Sequence, residues 1–318
     1  MTPQQVESCL GLWRETAGGR ATLVNHSENH TFRLDLPGGE TFFLRVHRSG
    51  YQSAAAIESE LEWLDALRRD TALPVPKSLT GRDGRWLQTL RPAGMPARHA
   101  VLFAPEPGVE PSPNDDLVGL FATLGRFAAM AHGHAARFVP SPHFTRQVWD
   151  AGAILDSGGL WGDWRRAPGV SRDIAKILGR LDHRLREALT AHGQGPERFG
   201  LIHADMRLGN LLVEGDKITL IDFDDCGFCW YMYDFAAAIS FHEADPQAPA
   251  WRAAWLAGYT AVRTLAPADI AILDTMVLLR RMALLAWIGS HHETDLARAH
   301  ADRFAAVTAA LAGPYLAG

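Results

Sequence analysis

The apolar periodicity of this chain changes from strand-like to helix-like in an asymmetric way, and that asymmetry limits the architectures open to it. Residues 21–26, 31–36 and 41–47 are short apolar or β-branched runs, separated by the turn signals Ser27-Glu28-Asn29 and Pro37-Gly38-Gly39. They predict an antiparallel meander. Over 53–69 the period becomes helical, with Ile57, Leu61, Leu64 and Leu67 on one stripe, until Leu73-Pro74-Val75-Pro76 ends it. Short apolar runs at 86–90 and 101–103 add strands, and Pro105-Glu106-Pro107-Gly108 reads as a boundary. From Asp115 onward the pattern is helical, at 116–132, 171–191, 249–264, 267–288 and 294–311, with one exception. Residues 200–203 are apolar, and the runs 211–213 and 218–223 flank Glu214-Gly215-Asp216-Lys217, a hairpin signature inside helical surroundings. The expectation is an α+β chain, with a β-rich N-lobe over 1–104 and a mainly helical C-lobe over 105–318.

Composition narrows the function. With 318 residues, 47% hydrophobic and 21% charged, the chain is of ordinary globular make-up and long enough for two lobes. Lys plus Arg total 31 against 36 for Asp plus Glu, a net charge of −5 with no basic block, so neither nucleic acid nor an anionic membrane is an expected partner. Cys9, Cys226 and Cys229 are an odd set that makes no disulfide framework, as suits a reducing compartment. The first residues lack a basic segment followed by an apolar one, and the apolar stretch 270–288 is interrupted by Asp274, Arg280 and Arg281. A cytoplasmic protein without a signal peptide or membrane span is expected.

Two carboxylates sit against the pattern. Asp205 follows the apolar 199–202, and Asp222 ends the run 218–221, so each emerges where the chain leaves a core. In an extended segment Asp222 and Asp224 share a face, and their repulsion calls for a bound cation or a basic neighbour. Taken singly, each aspartate is better explained as a loop cap or an Asx-turn. The combination is more specific: His203-x-Asp205-x-x-x-x-Asn210, then the hairpin, then Ile221-Asp222-Phe223. This series resembles the catalytic loop and metal-binding aspartate of the protein-kinase-like superfamily, and within it the aminoglycoside phosphotransferase and choline kinase family.

The resemblance implies a bilobal protein-kinase-like fold, with an antiparallel β-sheet N-lobe and a helical C-lobe, that transfers the γ-phosphate of ATP to a hydroxyl with the help of Mg²⁺. It implies Asp205 as catalytic base, and Asn210 and Asp222 as Mg²⁺ ligands. The family commonly reads His-Gly-Asp-x-His; here Ala204 and Arg207 replace the glycine and the second histidine. Arg207 lies two residues after the base, where a cation suits contact with the transferred phosphate. On a helical wheel Glu60 falls on the apolar stripe of 53–69 and needs a partner. The kinase-like lysine position of the third strand holds Arg45, so Arg45 with Glu60 is implied as the pair that orients the α/β-phosphates, a planar fork in place of a point charge. The nucleotide-covering turn is implied at His26-Ser27-Glu28-Asn29-His30, with Ser27 and Asn29 facing phosphate. The hinge begins at Phe103, beside the nucleotide.

Other features carry less chemistry. Cys226-Gly227-Phe228-Cys229 is a single C-x-x-C and reads as packing. His132, His134, His291 and His292 read as surface or satisfied core histidines, and no Walker-type phosphate loop is present. Asp234 reads as a cap that braces the catalytic loop. Only a short stretch separates Asp222 from Asp234, too little for a peptide-docking activation segment, which favours a small-molecule hydroxyl substrate. A protein Ser/Thr acceptor is the alternative, and a nucleotide-binding pseudokinase scaffold the non-enzymatic one. Trp161, Trp164, Trp230, Tyr231 and Tyr233, aided by Asp225, are candidates for an amine cage and equally for core, and Arg165, Arg166, Arg280 and Arg281 are candidates for a carboxylate site.

Overall fold

The meander forms in the computed structural model, which describes residues 1–26, 29–112 and 114–318. A short helix α1 (Pro3–Glu7) precedes strands β1 (Arg20–His26), β2 (His30–Asp35) and β3 (Thr41–Val46), which pair antiparallel in sequence order. Helix α2 (Ala54–Asp70) starts at Ser53, whose side chain accepts the Ala56 N–H. Strands β4 (Ser78–Leu79), β5 (Gln88–Leu90) and β6 (Arg98–Phe103) complete a six-stranded sheet in the order β1-β2-β3-β6-β4, with β5 also paired to β6. Two-residue alternation gives this sheet two apolar faces. Phe32, Leu34, Leu44, Val46, Ala100 and Leu102 join Val6, Leu10 and Trp13 in one core, whereas Val101 joins Ile57 and Leu61 of α2 in another. Arg45 is in register with Val101, so alternation sends its side chain to the α2 face.

The later elements are α3 (Val118–Ala135), α4 (Ala151–Leu155), α5 (Arg172–His192), β7 (Phe199–Ile202), the hairpin β8 (Leu211–Glu214) and β9 (Lys217–Leu220), β10 (Gly227–Trp230), α6 (Tyr233–Ala238), α7 (Ala248–Thr260), α8 (Pro267–Ala271), α9 (Leu273–Ser290), α10 (Asp295–His300) and α11 (Phe304–Ala317). Strand β10, not expected from its short Gly-Phe-Cys-Trp run, pairs antiparallel with β7. Helices α3 and α7 cross backbone to backbone: a Cβ on Gly125 would meet the Trp255 carbonyl oxygen at 2.0 Å, and one on Gly258 the Ala122 carbonyl oxygen at 1.8 Å. Only glycine allows that approach. Among the described residues no helix is long and apolar enough to cross a membrane.

The chain groups into two compact units, Met1–Val109 with Phe138–Arg146 and Leu212–Asp224, and Glu110–Arg137 with Gln147–Leu211 and Asp225–Gly318. The division at 104/105 follows chain order, whereas spatially the segments 138–146 and 212–224 go with the N-terminal sheet. The reason is local bonding. Val213 and Val109 exchange backbone hydrogen bonds, the Leu220 N–H donates to the Pro74 carbonyl at 3.0 Å, Phe223 packs edge-on against Trp63, and Thr145 N–H donates to Ser59 Oγ at 2.9 Å.

Candidate active site

In the second unit, β7 leads into His203-Ala204-Asp205. Ala204 has φ +66°, a left-handed conformation that costs a residue bearing a Cβ about 1–2 kcal/mol. Asp234, in the first turn of α6 and wholly buried, holds it: Oδ1 accepts the Ala204 N–H at 2.8 Å and Oδ2 the His203 N–H at 3.3 Å. Asp234 thus braces the loop.

Both oxygens of Asp205 are engaged. Oδ1 accepts from Arg280 Nη2, and Oδ2 accepts from Asn210 Nδ2 at 2.7 Å and Arg207 Nε at 3.3 Å. Burial pushes this carboxyl upward in pKa, but Arg280 first and Arg207 next outweigh it and hold the group below the usual carboxylate value. An ionised, oriented carboxylate is the result. Arg280, on α9 and buried, also donates to the Ala204 carbonyl at 3.3 Å and to Ser240 Oγ at 3.1 Å, and lies 5.2 Å from the centre of the Trp161 ring. Asn210 donates through Nδ2 to the Asp205 backbone carbonyl as well, at 2.8 Å. With its nitrogen so committed, the amide has its Oδ1 left to accept a hydrogen bond or to face a cation.

In the first unit, Arg45 Nη2 donates to Glu60 Oε1 at 2.6 Å, with side chains 7% and 1% exposed. The stripe position of Glu60 and the inward face of Arg45 therefore meet as expected. Arg45 Nη1 lies 3.5 Å from Asp222 Oδ1, and its guanidinium stands 5.3 Å from the centre of the Phe103 ring. Asp222 has φ +62°, a second left-handed non-glycine residue, and its side chain is 44% exposed. Asp224 is buried: Oδ2 accepts Asn29 Nδ2 at 2.9 Å, and its backbone carbonyl accepts Arg146 Nη2. Burial acts to raise the Asp224 pKa, while Arg45 and its other neighbours hold the carboxyl below its ordinary value.

Not every expected site residue is placed as the sequence suggested. Ser27 lies outside the described residues. Asn29 spends its side chain inside the protein, on Asp224 and on the Arg48 N–H at 3.2 Å. Asp222 and Asn210 each carry a hard oxygen of the kind a divalent cation prefers, and among the described residues no group of three or more His, Cys, Asp or Glu could hold a metal ion. The amine cage does not form as an open feature, because Trp161, Trp164, Trp230, Tyr231 and Tyr233 are all buried. The arginine cluster disperses too: Arg281 pairs with the buried Glu243 at 2.5 Å, Arg165 with Asp182 at 2.9 Å, and Arg280 turns to Asp205. Sequence reading missed the Arg280 contact with the base and the role of Arg146; the one available signal was a pair of arginines on an otherwise apolar helix.

Comparison with known proteins agrees with this fold. Residues 21–271 match the model of a phosphotransferase enzyme family, APH. The solved structure of a microcompartment-associated aminopropanol kinase is 42% identical, with a TM-score of 0.90 over 99% of this chain and 97% of that one. Amicoumacin kinase of Bacillus subtilis (strain 168) is 23% identical over 268 residues, 81% of this chain and 76% of the relative. The structure of amicoumacin kinase hAmiN in complex with AMP-PNP, Ca²⁺ and Ami shares the fold at a TM-score of 0.75 and 20% identity, over 98% of this chain and 94% of that one. With an α+β fold of protein-kinase type and a family match over most of its length, the chain belongs to the phosphotransferase enzyme family and is an ATP-dependent kinase with an alcohol group as acceptor.

Proposed function

We propose that the acceptor is a small amino alcohol of the size of aminopropanol, phosphorylated on its hydroxyl by ATP. The observation that carries this reading is the 42% identity to the aminopropanol kinase, sustained over 99% of this chain. Asp205 is the general base: ionised and held by Asn210, Arg207 and Arg280, it accepts a hydrogen bond from the acceptor hydroxyl and takes its proton as the oxygen attacks. Arg207 neutralises charge on the transferred phosphoryl group. Asp222 and the Asn210 Oδ1 would hold the Mg²⁺ that comes with the nucleotide; when bound, that ion ties together phosphate oxygens and neutralises their charge. Arg45, locked by Glu60, orients the α/β-phosphates, and Phe103 begins the segment beside the nucleotide. In this reading residues 1–104 supply nucleotide binding and 105–318 the acceptor chemistry. None of Cys9, Cys226 and Cys229 is in a disulfide, which supports a reducing, cytoplasmic setting.

Phosphate transfer from ATP should be measured across aminopropanol, ethanolamine, homoserine, an aminoglycoside and a generic protein, for wild type and Asp205→Ala. Aminopropanol should give the highest kcat/KM. Asp205→Ala should lower turnover about 10²–10⁴-fold while leaving nucleotide affinity within a few-fold. Preference for homoserine or for protein would replace the acceptor, and an Asp205→Ala enzyme with near-normal turnover would remove Asp205 as the base.

A further inference from the structure

A buried line of hydrogen bonds crosses the second unit and ends at the backbone that presents Asp205. Arg263 Nη1 donates to Tyr259 Oη at 3.1 Å, Tyr259 Oη lies 3.0 Å from His132 Nδ1, and His132 Nε2 lies 2.9 Å from Asp234 Oδ2. His132, Tyr259 and Asp234 are each completely buried. Burial lowers the His132 pKa, so its ring is neutral and has one donor and one acceptor nitrogen. A carboxylate can only accept. The proton therefore sits on Nε2 toward Asp234, and Nδ1 accepts from the Tyr259 hydroxyl, which in turn accepts from Arg263. Every bond in the line runs in one direction, toward Asp234.

The line ends where the backbone is strained. Asp234 accepts the N–H groups of Ala204 and His203, and Ala204 is the residue at φ +66°. A glycine would adopt that conformation freely, whereas alanine stays there only if its surroundings hold it. The next residue is Asp205. An apolar side chain in place of His132 would leave Asp234 Oδ2 with only the 3.3 Å bond from His203, a poorly satisfied buried carboxylate.

We infer that His132 is a positioning residue for phosphoryl transfer: through Asp234 it keeps Ala204 left-handed and so aims the Asp205 carboxylate, with Tyr259 fixing its tautomer. This rests on Asp205 being the base. The reacting groups must be aligned to a fraction of an ångström, so a modest loosening of 203–205 reaches the rate without touching substrate.

The test is a set of variants, His132→Leu, His132→Gln, Tyr259→Phe and Ala204→Gly, alone and with Ala204→Gly as second change, assayed with ATP and aminopropanol. His132→Leu should lower kcat by up to about 10²-fold, with the KM for Mg·ATP nearly unchanged. His132→Gln, which can still donate to Asp234, should lose less. Ala204→Gly should restore most of the kcat lost in His132→Leu, because a glycine no longer needs to be held. A residue that merely fills the core would give losses that add independently of Ala204→Gly. Wild-type kcat in His132→Leu, or no rescue by Ala204→Gly, overturns the inference. Should His132→Leu fail to fold, Tyr259→Phe lacks one hydroxyl only, and its smaller kcat loss must show the same suppression. Hydrogen exchange of the Ala204 amide separates this inference from the choice of acceptor, since it needs no acceptor: exchange should quicken in Tyr259→Phe and His132→Gln, and unchanged protection refutes the inference even in an active enzyme. Faster exchange beside a wild type that ignores aminopropanol would instead refute only the acceptor.

Discussion

Removing the Arg45 side chain isolates a charge that the fold cannot easily solvate. Arg45 and Glu60 meet at 2.6 Å with side chains 7% and 1% exposed, and burial by itself already pushes the Glu60 pKa upward against the pull of Arg45. Breaking such a pair from one side leaves an uncompensated buried charge, at a cost of about 3–5 kcal/mol, a large share of the roughly 5–15 kcal/mol that holds a typical domain folded. Arg45→Ala should therefore lower the melting transition by roughly 6–20 °C, at about 2–4 °C per kcal/mol for a protein of this size. Glu60→Ala should cost less, because Arg45 keeps Asp222 at 3.5 Å and the charge of Asp224. Replacing both by leucine should return most of the stability, since the desolvation of both charges disappears together. It should not return turnover. Arg45→Lys keeps the charge and loses only the fork, and should retain most turnover and most of the stabilisation by Mg·ATP. The assay is thermal and urea unfolding of the five proteins with and without Mg·ATP, beside ATP consumption with a productive acceptor. A loss below about 1 kcal/mol in Arg45→Ala, with undiminished stabilisation by Mg·ATP, would refute the argument.

Two further outcomes are expected. Asp222→Asn should weaken Mg·ATP binding and raise the Mg²⁺ needed for half-maximal rate, because an amide is a poorer ligand for a hard divalent ion; titration calorimetry that shows unchanged binding would move the metal elsewhere. Stability should also fall on mild acidification: burial lowers the pKa of His132, and burial, with Arg45 adding to it, takes that of His47 from 6.5 to about 3. Both are neutral in the folded chain, so below pH 6.5 the unfolded state takes up protons that the folded state refuses, at up to about 1.4 kcal/mol per pH unit for each group. Urea unfolding between pH 7.5 and 5 checks this, and stability that is flat or rises toward acid would contradict it.

The parts of this fold that were legible in the sequence are those whose determinants lie close together in the chain. The three strands of the meander and α2 fall within one or two residues of the runs that predicted them, because alternation and a helical stripe are local signals. The same holds for Glu60, whose place on an apolar stripe demanded a cation, and for the short spacing that lets the Asn210 amide reach the Asp205 carboxylate. What stayed hidden depends on distant partners. His132 and Asp234 are 102 residues apart, Arg280 and Asp205 are 75, and Asn29 and Asp224 are 195. No pattern within a helix reveals which far carboxylate its histidine will meet. The tryptophans and tyrosines around 161–164 and 230–233 are undecided from sequence for a related reason: aromatic rings that close a core and rings that line a ligand site look the same until burial is known.

The crossing of α3 and α7 sets limits on how the enzyme can diverge. Gly125 lies two helical turns before His132, and Gly258 is the neighbour of Tyr259, so the spacing of these helices is also the spacing of the 3.0 Å bond between that histidine and that tyrosine. A single methyl group at either glycine would have to push a carbonyl oxygen away by about an ångström. Gly125→Ala or Gly258→Ala would barely alter the composition of the chain, yet would displace a partner of the loop that carries Asp205. Duplicated copies of the gene that acquire new acceptors are thus expected to vary in their loops and to keep both glycines, and a mutagenesis library built to change substrate should leave those two codons fixed.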